Sequence, residues 1–438
     1  MRACVFAAAL LGVGSSTFAA EKTWDGGAGT ANWHDANNWS PDGIPGETDT
    51  VTIGAAFPEV VYTSTAGDRT VRTLTCDTVL RITSGTLRVT DGGTIAGRLT
   101  MTGGGICAGM TAGASIALSG EANSMTSATL VCGSLRVAAG ASLSLANTTL
   151  AGTLTNDGVV TMPSNQNVTI GPSGAILNRG EWTMSAASGQ NCQFFGNCSG
   201  SPTSFTNEGT FRATGAGFKA LNNSCSPIVF TSTGSVFADE GELRFNCNAS
   251  LSSGATVAAG ATLSNQANLT FGDILAGDGA FVHAGGTTSF NAGIAQSVEF
   301  PSSAGGTVNI NSAVVRPTLI AMNGTTIAGS GLLTLLASSN TATSSTLAVP
   351  TTVAKSASLS LANSTVSGEF TNDGVVTMPS NQNVTIGAGG AILNRGEWTM
   401  SAASGQNCRV FGNCNNSIPV SFTNEGTLRA IGDRKSVV

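Results

Sequence analysis

The sequence predicts an all-β chain wound as a parallel β-solenoid, closed at its N-terminal end by a Trp-rich cap. Three observations carry that reading: a long block that occurs twice, a finer Asn-x-Gly period inside it, and a composition hostile to helices. The block Ala141–Cys198 returns at Ala357–Cys414, offset by 216 residues, with about 49 of 58 positions identical. The match runs on through SFTNEGTFRA and SFTNEGTLRA, so the duplicated coils cover 141–213 and 357–430. Self-similarity of this kind marks stacked repeat architectures, and such identity points to recent duplication of several structural units.

The finer period sets the coil. TLTNDGVVTM, AILNRGEWTM and SFTNEGTFRA align on Asn156, Asn178 and Asn207, with steps of 22 and 29 residues. Gly158, Gly180 and Gly209 follow each Asn by two. Leu154, Ile176 and Phe205 precede it by two, and Val160, Trp182 and Phe211 follow by four. Apolar residues at even offsets on both sides of a turn describe strand, turn, strand with one face inward. The second copy repeats the columns at Asn372, Asn394 and Asn424. Stacked coils place each Asn amide against the next, and the expectation is that Asn and the Gly two residues on both adopt positive φ. The intervening Asp157, Arg179 and Glu208, repeated as Asp373, Arg395 and Glu425, read as a solvated ladder of alternating charge. Helices fail on composition: the chain has 57 Gly, is rich in Thr and Val, and shows no 3.6-residue period. Roughly 18 coils at about 4.8 Å each predict a rod on the order of 85 Å.

The cap is TWDGGAGTANWHDANNWSPDGIPGETDTVTIG, within residues 20–50 and the first strand after them. A solenoid must cover its open end, so Trp24, Trp33 and Trp39 are expected to plug the first coil. Their alternative use is sugar stacking on exposed rings. The solenoid proper spans 51–432. Residues 1–19, with Arg2, an apolar run and a small-residue exit, read as a secretory signal peptide cleaved after Ala19. The run is too short for a bilayer anchor, so no membrane-spanning segment is expected. Asp433–Val438 (DRKSVV) reads as a translated sequencing adapter, so the native chain is expected to continue differently beyond Gly432.

Charge and cysteine content narrow the function. The net charge of −6 and the 10% charged residues exclude a basic nucleic-acid surface. The chain has two histidines, His34 and His283, which exclude a multi-histidine centre, and no metal or cofactor is expected. CQFFGNC and CRVFGNC suggest small disulfide-closed loops, Cys192–Cys198 and Cys408–Cys414, and Cys225 and Cys247 are spaced to bridge adjacent coils. Of Cys76, Cys107 and Cys132, one is left over or is expected to pair with a cysteine beyond the C-terminal end of this sequence. A zinc site is disfavoured, because Cys-x5-Cys is not zinc spacing and no His is near.

The opening W-x-G…W…N-W…P…D-x-V-x-I, followed by Gly/Thr/Asn-rich coils, resembles the large secreted β-helix proteins of bacteria. Autotransporter-associated repeat proteins, filamentous haemagglutinin-like adhesins and polymorphic surface proteins are the groups concerned. The resemblance implies a right-handed parallel β-helix and an extracellular or cell-surface role, with surface glycans or a neighbouring surface as partner. Passengers threaded through an outer-membrane barrel usually avoid Cys, and this chain departs from that habit.

The expectation is therefore an exported, non-catalytic structural or adhesive protein, with a carbohydrate-binding or polysaccharide-cleaving β-helix as the alternative. Cleavage requires clustered carboxylates in a groove. The densest acidic group is Asp239, Glu240 and Glu242, and VFADEGELRF aligns with SFTNEGTFRA, placing Asp239 at a repeat Asn position in an ordinary turn. His283 stands alone among small residues and reads as packing or surface. No nucleophile elbow, HExxH, P-loop or dinucleotide fingerprint occurs. Thr is abundant, but no Thr-x-Thr recurs in every coil, which argues against ice binding.

Overall fold

Alternation is the rule that builds this chain: in strand after strand, every second side chain is buried. The computed structural model describes residues 19–64, 67–196, 203–222, 228–294, 299–316, 319–412 and 419–432. Residues 1–18 of the expected signal peptide 1–19, the tail 433–438, and Cys198, Cys225 and Cys414 lie outside the described residues. About 57% of the chain is strand, with almost no helix, and the parallel sheets stack as a β-solenoid of roughly 16 turns. That is fewer than the 18 expected, because several long turns consume residues without adding rungs. At about 4.8 Å per turn the stack is about 77 Å long.

Three faces wrap the rod, and each strand pairs with the one a full turn on. On face one, Thr153–Asn156 pairs with Ala175–Asn178, which pairs with Thr203–Asn207. On face two, Val159–Met162 pairs with Glu181–Ser185, then Thr210–Thr214. On face three, Asn167–Ile170 pairs with Asn191–Gly196, then Phe218–Asn222. All of these pairings are parallel and in register. The predicted apolar columns point inward: Leu154, Ile176, Phe205, Val160, Trp182 and Phe211 are at most 1% exposed. Rings stack along the axis, with Trp182–Phe205 at 5.0 Å and Phe205–Phe230 at 5.2 Å between centroids. Burying each such side chain is worth about 1.5–3 kcal/mol.

The Asn columns stack as expected. Asn156 Nδ2 donates to Asn178 Oδ1 at 2.7 Å, and Asn178 Nδ2 donates to Asn207 Oδ1 at 2.6 Å. The second copy repeats this, with Asn372 to Asn394 at 2.7 Å and Asn394 to Asn424 at 2.6 Å. The backbone reason differs from the expected one. Neither the ladder asparagines nor Gly158, Gly180 and Gly209 have positive φ. Glycine is needed because successive turns approach too closely for a Cβ: one on Gly180 would sit 2.0 Å from the Gly158 carbonyl oxygen, and one on Gly209 2.2 Å from that of Gly180.

The two copies of the block do not lie in line. VVTM occupies face two at Val159–Met162 but face three at Val375–Met378. NVTI occupies face three at Asn167–Ile170 but face one at Asn383–Ile386. The 216-residue offset is thus not a whole number of turns, and the second copy is rotated by one face. A strand sequence transfers between faces because each face asks for the same pleat, ladder and inward apolar residue.

At the N-terminal end, Glu21–Trp24 lies parallel to Thr50–Ile53 and antiparallel to Trp39–Ser40. The cap therefore supplies its own first rung. Trp24, Trp33 and Trp39 are 3%, 0% and 0% exposed, and their rings meet edge to face at 5.0 Å and 4.8 Å. Trp39 Nε1 donates to the Trp33 carbonyl at 2.8 Å. Burial of all three rings is what plugging requires, whereas sugar stacking requires an exposed ring and none of the three has one.

Candidate functional site

Turn length decides where the rod surface is concave. At the corner between faces two and three, successive turns are 186–190, 215–217, 239–241 and 258–261. The first and last are longer and project as walls; the two between are short and glycine-rich. Gly217 and Gly241 permit this, since a Cβ there would lie 2.2 Å from the Ala187 oxygen and 2.3 Å from the Gly217 oxygen. The first wall is braced from the coil before it: Ser164 Oγ donates to Gln190 Oε1 at 2.6 Å and accepts from Ala187 N at 2.7 Å. The result is an open trough of about 580 Å³ crossing four coils.

Its side chains form one column on face three. Asn191, Phe218, Glu242 and Thr262 are in register from coil to coil. Arg244 lies over the half-buried Phe218 ring, 4.7 Å from its centroid, and its Nη2 meets Glu242 Oε1 at 2.8 Å. Ser264 Oγ donates to the same oxygen at 2.5 Å. Beneath the trough, Lys219 is fully buried and donates to the carbonyls of Gly215, Gly217 and Glu240. Burial holds its ammonium pKa below the ordinary lysine value. The trough thus offers one half-buried aromatic ring lying under an arginine, one neutralised ion pair, and amide and hydroxyl groups.

The acidic group at its rim is not a carboxylate pair. Asp239 is turned outward to Arg212 at 2.5 Å, while Glu242 is held by Arg244. Asp239 is also not a ladder residue. The ladder passes from Asn207 to Ser232 at the corner of faces one and two, with Asn207 Nδ2 donating to Ser232 Oγ at 2.9 Å, and Asp239 lies one corner further on, between faces two and three. The expected charge ladder does form: Arg179 meets Asp157 at 3.8 Å and Glu208 at 3.1 Å, and Arg395 meets Asp373 at 3.7 Å and Glu425 at 3.4 Å. These exposed pairs contribute little individually.

Face one carries a second feature that sequence reading missed. Thr287, Thr307, Thr326, Thr346, Thr365 and Thr385 form one outward column, in register throughout. From Thr153–Asn156 to Asn383–Ile386, no outward residue of the described face-one strands is charged. A search for Thr at steps of 19 and 20 residues finds this column. Requiring Thr-x-Thr hides it, since the neighbouring column holds Ser289, Asn309 and Ala328.

His283 is fully buried, with Nδ1 2.9 Å from Thr288 Oγ1 and Nε2 3.1 Å from the Gly305 carbonyl, and burial lowers its pKa. It is a packing residue. Cys107 and Cys132 form a disulfide between adjacent turns of face three, with Cα atoms 4.6 Å apart, leaving Cys76 over. Cys192, Cys247 and Cys408 are buried, and burial pushes the thiols of Cys192 and Cys247 up to about 12. Their proposed partners, Cys198, Cys225 and Cys414, lie outside the described residues. Among the described residues, no cluster of three or more His, Cys, Asp or Glu could hold a metal ion, and no helix is long and apolar enough to cross a membrane. Comparison with known protein families, curated proteins and solved structures finds no match to this chain.

Proposed function

We propose that this chain is an exported, non-catalytic rod of the bacterial cell surface or extracellular space, structural or adhesive in role. The observation that supports this most is the long uncharged Thr/Ser/Asn surface of face one, which offers extended contact area and no reactive group. The trough adds to it, because each of its rim carboxylates with a described ion-pair partner is tied to a separate arginine, whereas cleavage of a glycosidic bond uses two carboxylates acting together. Secreted β-helix adhesins, which the sequence resembles, fit the same description.

The test has two arms. Beads coated with the full chain are scored for attachment to cultured cells, and the free chain is incubated with polysaccharides while new reducing ends and unsaturated uronates are measured. Attachment without bond cleavage is expected. Saccharide cleavage that disappears in the Glu242→Gln variant would replace this reading with the enzymatic one. N-terminal sequencing of exported protein is expected to begin at Ala20; retention in the cytoplasm would defeat the proposed location.

A further inference from the structure

We infer that the trough on the corner of faces two and three is a binding subsite for a neutral, linear oligosaccharide lying parallel to the rod axis. The inference rests on the adhesive reading and gives it a ligand class. The trough forms where two longer turns flank two short, glycine-rich ones at this corner. Its column Asn191, Phe218, Glu242 and Thr262 repeats at about 4.8 Å, the strand spacing, so an extended chain of small cyclic units can meet a different side chain at each rung.

The chemistry selects the ligand. Phe218 lines the trough with Arg244 over one face of its half-buried ring, so the C–H groups of a pyranose pack against the part of the ring that the guanidinium leaves uncovered. Arg244 and Glu242 neutralise one another at 2.8 Å. The column therefore adds no net charge of its own, and a polyanion gains little from it. Glu242 still has acceptor capacity beyond the bonds from Arg244 and Ser264, and Asn191, Gln190 and Thr262 add donors and acceptors. Polyhydroxylated ligands use such groups to fix orientation, while the apolar contact supplies affinity. A hydrophobic peptide would find only one aromatic side chain here. The duplication does not repeat the groove: it carries Gln406 and Asn407 as copies of Gln190 and Asn191, but not the coils holding Phe218 and Glu242.

The experiment titrates the full chain with cellohexaose, xylohexaose, mannohexaose and chitohexaose, following ligand signals by saturation-transfer NMR and affinity by calorimetry. At least one hexasaccharide is expected to bind. Phe218→Ala should weaken it tenfold or more, Glu242→Gln by several-fold, and Thr270→Ala on face one not at all. Circular dichroism of each variant checks folding, and Gln190→Ala reports on the wall if Phe218→Ala misfolds. No binding at millimolar ligand, or binding indifferent to Phe218, Glu242 and Gln190, overturns the inference. If that happens while coated beads still attach to cells, the adhesive reading stands and only the trough falls. Binding accompanied by Glu242-dependent cleavage keeps the trough and removes the non-catalytic reading.

Discussion

Replacing Asn178 by Ala tests the interior ladder at its centre. Asn178 accepts from Asn156 at 2.7 Å and donates to Asn207 Oδ1 at 2.6 Å and to the Thr210 carbonyl at 2.9 Å. All three asparagines are fully buried. The substitution removes these three bonds and a longer one from Nδ2 to the Gly180 carbonyl at 3.3 Å, each worth up to about 1 kcal/mol net, and leaves buried polar atoms without that partner, so the loss should be about 3–4 kcal/mol. In a stacked rod each coil couples only to its neighbours, so the damage should be local and overall unfolding is the wrong readout. Hydrogen exchange is the right one. The amides of Arg179 and Gly180 bond to the Asn156 carbonyl, and those of Glu208 and Gly209 to the Asn178 carbonyl. Tenfold per 1.4 kcal/mol predicts roughly 100- to 1000-fold faster exchange at these turns. Strands near Thr326 should not change. Acceleration below threefold, or equal acceleration at Thr326, would refute the reasoning.

Three further outcomes follow from the same geometry. Gly180→Ala should destabilise its coil by about 1–3 kcal/mol through forced overpacking, whereas Gly54→Ala, where a Cβ meets nothing within 4 Å, should be near neutral; equal acceleration of hydrogen exchange in the two mutated turns would contradict the close-approach argument. His283 has a folded pKa below its unfolded one, so the unfolded chain takes up the proton first. Its contribution to stability is therefore full above about pH 6.5 and is lost as pH falls, and the wild type should lose more stability than His283→Asn between pH 7 and 5. The Cys107–Cys132 bridge closes a 25-residue separation, so Cys107→Ser with Cys132→Ser should cost about 3.5 kcal/mol by loop entropy, with protease sensitivity rising near residues 105–135 as the check.

The fold was legible because its determinants are local and repeated. Asn156, Asn178 and Asn207 could be aligned by eye, since a ladder position tolerates so few residues. The role of Gly180 was misread because a sequence shows that glycine is required but not whether φ or a neighbouring carbonyl requires it. The letters around Asp239 imitate the ladder turn, but the ladder position belongs to Ser232, and Asp239 lies at the next corner, where it meets Arg212. Rotation of the second copy was hidden because coil length varies, so 216 residues cannot be converted into turns without counting rungs. The trough was invisible for a related reason: it arises from the relative lengths of four turns, and no motif marks it. The threonine face escaped notice because its coils share one outward position and little else.

The central claim is that rungs follow one another at a constant step along the axis, and a distance ruler on face one tests it most directly. Thr155, Thr270 and Asn309 belong to one outward column, with Thr270 five rungs and Asn309 seven rungs from Thr155. Nitroxide labels introduced in pairs should show separations of about 24 and 34 Å, in proportion to rung number. Thr287 with Thr385, five rungs apart, should match the first pair. Separations that fail to grow with rung number, or that differ widely between the two five-rung pairs, would contradict the stacked-coil account.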